Sequence, residues 1–314
     1  MKGNSYAESG IMLPMTFPVS GVVAPVWLPP LVGFLVSFFS SMGGISWAVL
    51  LLPFQVSVLG FTSPAVSPTN LVFNIVAIPS GIYRYTRERR MIPSLTWVVV
   101  AGTAPGVIVG QLVRLTWLPA PVPFKAFVGC VLLYIAVRMV LEMRRPGNRA
   151  ARGRGPCDWT VRCLEFNIRR LVFEFQGRRY ECGTRFVFLV SLVVGVVGGI
   201  YGIGGGALMA PFFVAHLGLP VHTIAGATLM GTFITSVVGV VFSQLIAPFY
   251  RSKGMAVAPD WLLGSLFGVG GMLGIYLGAR VQRFVPAKWL KGMLTAILIG
   301  VALSYLWGFL AALK

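Results

Sequence analysis

Apolar stretches close to the thickness of a bilayer follow one another along most of this chain, and only short polar breaks part them. They cover about 27–42, 45–59, 64–83, 93–113 and 122–141, then 185–201, 203–217, 222–249, 259–281 and 286–310. A hydrocarbon core about 30 Å thick needs roughly 20 apolar residues per helical crossing. With 56% hydrophobic residues, a mean hydropathy of +0.83 and 11% charged residues, the chain is expected to be an all-α polytopic membrane protein. The first and second spans of each set are short for a full crossing, so tilted spans or half-helices meeting inside the membrane are both open. About ten transmembrane or half-membrane helices result.

The charge is uneven. Of the net +18, eleven arginines fall between Arg144 and Arg185. A basic cluster inside a lipid-soluble chain is expected to mark one face of a membrane, with anionic lipid headgroups as its partner and no nucleic acid. Acids number eight: Glu8, Glu88, Glu142, Asp158, Glu165, Glu174, Glu181 and Asp260. None falls in the middle of a span, where a proton or sodium relay would place one. Cys130, Cys157, Cys163 and Cys182 form no CxxC pair and have no neighbouring histidine. Free thiols are expected, with no metal and no cofactor.

The chain divides into a peripheral lead-in (1–24), a first membrane repeat (25–141), a basic cytoplasmic linker (142–184) and a second repeat (185–314). The linker alternates apolar and polar residues around Leu171, Phe173 and Phe175, so a small β-hairpin turning at Gln176-Gly177 is expected. The repeats are read as copies. A shift of 158 positions carries Gly44 onto Gly202, Pro53 onto Pro211, Gly60 onto Gly218 and Leu71 onto Leu229. Further on, at an offset of 168, Gly102, Gly106 and Gly110 match Gly270, Gly274 and Gly278. Five spans per half is an odd number, so the second copy enters the membrane inverted. The basic loop 84–90, the linker and Arg280 to Lys291 then share the cytoplasmic side, and both chain ends face outward. Inverted repeats of interrupted helices are a transporter plan, with substrate near the midplane.

Two features fix the expected site. The stretch GIYGIGGGALMAPFF (199–213) packs glycines at a break and then resumes an apolar run. A glycine turn opening a helix aims unpaired N–H groups and the positive dipole end at one spot, a seat for an anion. Gly204, Gly205 and Gly206 are assigned to it, with Gly44 and Ser46 from the first half; close packing of helices is the bland alternative. Asn70 and Asn74 share one helix face, and the shift carries them onto Thr228 and Thr232. These four would complete the shell, or else hydrogen-bond between helices. The four-residue glycine stripes at 102–110 and 270–278 are read as packing surfaces. GIGGGA fits a dinucleotide fingerprint, but no acid stands about 20 residues on to hold a ribose.

The run GGIYGIGGGALMAPFFVAHLGLPVHTIAGATLMGT, with its weaker counterpart SSMGGISWAVLLLPFQVSVLGFTSPAVSPTNLVFN, resembles the TauE/SafE sulfite exporter family, also called toluene sulfonate uptake permeases. The resemblance covers both membrane halves and leaves out the linker. Ser46 and Trp47 stand where the second half has Gly204 and Gly205. The resemblance implies a secondary transporter or facilitator of sulfite or an organosulfonate, such as sulfoacetate, in the bacterial inner membrane. Export is favoured by an inside-negative potential, and a homodimer is kept open. The alternative is a membrane-anchored receptor or scaffold acting through the basic linker. No HExxH or GxSxG motif is present, so an enzyme is not expected.

Overall fold

The computed structural model describes residues 14–43, 46–87, 93–144, 161–167, 170–175, 178–209, 213, 221–281 and 287–313. A short hairpin, β1 (Pro14–Thr16) and β2 (Val23–Pro25), leads into α1 (Leu28–Gly43) and α2 (Ala48–Ser57). Then come α3 (Val66–Ala77), α4 (Pro79–Arg87), α5 (Pro93–Thr116) and α6 (Pro121–Arg144). A three-stranded antiparallel sheet, β3 (Val161–Phe166), β4 (Arg170–Phe175) and β5 (Arg178–Gly183), precedes α7 (Thr184–Tyr201). Beyond a 3-10 turn at Gly206–Leu208 come α8 (Val221–Arg251), α9 (Trp261–Val281) and α10 (Ala287–Ala312).

Among the described residues, six helices are long and apolar enough to cross a membrane by length and composition: α5, α6, α7, α8, α9 and α10. The ten-residue α2 is about 15 Å long and cannot. The span expected over 64–83 is divided into α3 and α4. Pro79 supplies no N–H to the helix ladder there, although Ile78 keeps helical torsions (φ −73°, ψ −33°). Of the span expected over 203–217, residues 210–212 and 214–217 lie outside the described residues.

Small residues decide which helices touch. The stripe on α5 packs on α7: Gly102 faces Ser191, Gly106 faces Gly195, and Gly110 faces Gly199. The matching stripe on α9 packs on α1: Gly270 faces Pro30, Gly274 faces Phe34, and Gly278 faces Phe38. Both pairs are parallel by this register. With lipid on the outside there is little hydrophobic drive for helix association, so close backbone approach supplies the attraction.

The remaining contacts set the helix directions. Thr69 meets Gly264 and Val76 meets Gly268, so α3 is parallel to α9. Val99 meets Gly231 and Val107 meets Gly239, so α5 is parallel to α8. Leu71 meets Gly239 and Asn74 meets Ser236, so α3 and α8 are antiparallel. Gly129 meets Ala302 and Thr295 meets Met139, so α6 and α10 are antiparallel. Exposed tryptophans form two levels on this frame. Trp97 and Trp289 stand at one end, and Trp117, Trp261 and Trp307 at the other, as in the aromatic belts of membrane proteins.

The N-terminal hairpin is tied to the second of these ends. Asp260 accepts from the N–H and hydroxyl of Ser20 and also from the Leu263 N–H, capping α9, while Phe17 is fully buried. At the opposite end β4 and β5 pair as the alternation suggested, with β3 as a third strand; the turn at 176–177 lies outside the described residues. Burial first, and then the neighbouring Glu181 carboxylate, push the thiol of Cys182 on β5 up to about 11 and keep it protonated.

Glycine packing generates a contrast in stability. A Cβ on Gly270 would overlap the Pro30 carbonyl, whereas Gly300 has nothing within 4 Å. Gly270→Val is expected to cost about 3 kcal/mol or more, and Gly300→Ala to be neutral or to gain up to about 1 kcal/mol. Melting of both variants in detergent measures the difference.

Candidate functional site

The site forms where α7 stops. Gly202 takes a left-handed conformation (φ +85°), and the N–H groups of Gly202 and Ile203 both return to the Gly198 carbonyl. Gly204 (φ +77°) turns the chain again. Both conformations disfavour any residue with a Cβ. The helix therefore ends inside the bundle, with its last carbonyls exposed to their neighbours.

Helix α3 meets those carbonyls with a ladder of donors. Ser67 donates to the Ile200 carbonyl (2.9 Å), Asn70 Nδ2 to Gly202 (3.0 Å) and Asn74 Nδ2 to Ile203 (3.1 Å). Asn70 Nδ2 also reaches the Ala48 carbonyl on the first turn of α2 (3.1 Å), and Asn74 Nδ2 reaches Ser236 Oγ (3.3 Å). Tyr201 completes the crossing by donating to the Val49 carbonyl (2.7 Å). Thus two helix ends, one from each half, are clamped by the same few side chains. Ser67, Asn70, Asn74 and Tyr201 are all essentially buried. The carbonyl acceptors fix the orientation of both amides and leave each Oδ1 without a partner.

The glycine turn itself is packed against helix backbones. Gly204 lies against Thr232 and Ser236, Gly205 against Thr103, and Gly206 against the Thr228 carbonyl and Thr232. The Gly205 N–H donates to Thr235 Oγ1 (3.2 Å), and Thr232 and Thr235 donate within α8 to Thr228 and Gly231. Of the residues expected from sequence, Asn70, Asn74, Gly204, Gly205, Gly206, Thr228 and Thr232 therefore converge on one crossing. Ser46 opens the turn before α2, where its carbonyl accepts the Val49 N–H; Gly44 lies outside the described residues.

Two features differ from the sequence reading. The groups gathered at the break are chiefly carbonyls at the C-terminal end of α7, answered by side-chain donors, because α7 extends through Tyr201 before the glycines stop it. Past the break, Gly206–Leu208 form a 3-10 turn. Tyr201 and Thr103 were missed. Tyr201 stands within the glycine stretch, and a phenol at an interrupted helix end was the available signal; Thr103 carries none.

An interrupted helix end held by buried side-chain donors, within a bundle of long apolar helices, defines a multi-pass membrane protein with a built break in its interior. The model of the sulfite exporter TauE/SafE family matches residues 30–305, and the chain belongs to that family of membrane transporters. The chain is 24% identical over 242 residues to the probable membrane transporter protein YunE of Bacillus subtilis, covering 76% of this chain and 79% of that protein. It is 29% identical over 126 residues to the probable membrane transporter protein YdhB of the same organism, covering 38% and 47%. No solved structure matches.

Removing the clamp is expected to loosen the crossing. Asn70→Ala leaves the Ala48 and Gly202 carbonyls without their amide donor and should cost about 2 kcal/mol; Tyr201→Phe should cost about 1 kcal/mol. Thr232→Val removes only a bond within α8 and should stay within about 0.5 kcal/mol. Thermal melting in nanodiscs ranks the three.

Proposed function

We propose that the chain is a secondary transporter or facilitator that moves small sulfur oxyanions, sulfite or an organosulfonate such as sulfoacetate, outward across a bacterial inner membrane. The observation that carries this reading is the clamped crossing of α2 and the end of α7, because interrupted helices at midplane are where transporters place substrate. The antiparallel courses of α3 against α8 and of α6 against α10 support an inverted repeat; with the basic segment 142–184 on the cytoplasmic side, both chain ends lie outside. The arginines of the linker then face the anionic headgroups of the inner leaflet.

In this reading the anion sits between the Gly44–Ser46 and Gly204–Gly206 turns. Thr103, Thr228 and Thr232 pack on the Gly204–Gly206 turn in the closed state. Opening moves the glycine turn away from α5 and α8. Asn70, Asn74, Thr228 and Thr232 then exchange backbone partners for substrate oxygens, which suits neutral donors already desolvated.

Energetics favour the outward direction. Moving one negative charge out of an inside-negative compartment releases about 2.3 kcal/mol per 100 mV. The spans hold no mid-membrane acid to carry a coupling ion, consistent with a flux driven by the potential alone.

Radiolabelled sulfite loaded into proteoliposomes tests the reading. Efflux well above that of empty liposomes is expected, accelerated when the lumen is made negative and slowed when it is made positive. Efflux equal to that of empty liposomes, with sulfite, thiosulfate and sulfoacetate alike, contradicts it.

A further inference from the structure

Among the described residues, a buried cation stands inside the bundle without an acid. Arg114, in the last turn of α5, is 1% exposed. Among the described residues no carboxylate lies within ion-pair distance of it. Its Nη1 donates to the Leu118 carbonyl, and its guanidinium lies 3.8 Å from the centre of the Phe124 ring. Among the described residues, Nε and Nη2 have no hydrogen-bond partner. Those two nitrogens form one edge of the guanidinium, the fork that matches two oxygens of an oxyanion. One turn earlier on α5, Gln111 is 4% exposed, and both its side-chain atoms are also unpartnered.

Both residues line a narrow cavity of about 10 Å³, room for one water molecule. Ser67, Ser243, Leu115 and Ile246 share its walls. Ser67 is also the first rung of the α3 ladder, so the cavity adjoins the clamped crossing directly. It lies at the end of the bundle that carries the 252–260 loop, the end that faces outside in the transporter reading.

A buried guanidinium with three of its five N–H donors idle is costly unless a countercharge arrives. We propose that Arg114, with Gln111, is an anion-binding site on the outer side of the crossing; the Ser243 hydroxyl beside them is already donated to the Val240 carbonyl. It takes a small oxyanion through the Nε–Nη2 fork. This rests on the transporter reading and deepens it by giving the path a charged ligand that the neutral crossing lacks. In the closed state Leu115 and Ile246 narrow the cavity to one water; the anion enters as they swing aside.

The test uses the full chain in nanodiscs, titrated with sulfite by calorimetry and by anion-dependent melting. Arg114→Met should bind sulfite at least about tenfold more weakly, because a charge-assisted pair of hydrogen bonds is lost. Its melting temperature in anion-free buffer should equal or exceed that of the wild type, since an uncompensated buried charge has gone. A structural arginine would give the opposite, a lower anion-free melting temperature, and that result overturns the proposal. So does wild-type sulfite affinity in Arg114→Met. If the methionine variant does not fold, Arg114→Lys decides. The lysine keeps the charge and loses the fork, so weakening of about tenfold supports the site and unchanged affinity overturns it. Gln111→Leu should weaken binding a few-fold. A wild-type chain that binds none of sulfite, thiosulfate and sulfoacetate refutes the sulfur-oxyanion reading itself, whereas wild-type binding with unaffected variants refutes only the role of Arg114.

Discussion

The end of α7 inside the bundle is the constraint that everything else answers. A helix that stops in water leaves its last carbonyls to the solvent; one that stops within a membrane protein must find donors in the protein. Here Ser67, Asn70 and Asn74 supply them from a single face of α3, and Tyr201 in turn donates to the first turn of α2. Because the donors are side chains, the arrangement can be undone and remade without unwinding α3. A backbone-satisfied helix at the same place could not offer that.

The clamp works only if α3, α7 and α8 are held close, and glycine holds them. The stripe on α5 admits α7, and the stripe on α9 admits α1, each at backbone contact. The N-terminal α1 thereby packs on α9 far along the chain, and α7 on α5, so early and late helices are interlocked around the crossing. The faces turned outward remain apolar, with residues such as Leu189, Val193, Leu245 and Leu273 exposed, as a lipid-facing surface requires.

Much of this was legible in the chain itself. Apolar run lengths marked the long helices, and four-residue glycine spacing identified the two packing surfaces. The pair Asn70 and Asn74 marked a polar face that lipid would not tolerate, and it proved to be the clamp. The partner those amides meet was not legible, since a buried donor suits a carbonyl and an anion equally. The same ambiguity affects the glycine break: Gly202 ends a helix by its left-handed conformation, while the glycines after it looked like a helix start. Arg114 escaped notice because a charge at a span end normally reaches water; its burial depends on Phe124 and on loop residues far along the chain.

Substrate passing through the clamped crossing is the central claim. The most direct measurement places a single cysteine at Thr232, which packs on Gly204 and Gly206, in a chain whose four native cysteines are replaced by serine. A small, water-soluble thiol reagent is then applied to proteoliposomes with and without sulfite. Labelling during turnover, with protection as sulfite is raised, is the predicted result. A cysteine labelled at the same rate at every sulfite concentration, or labelled only after denaturation while flux persists, would place the path elsewhere.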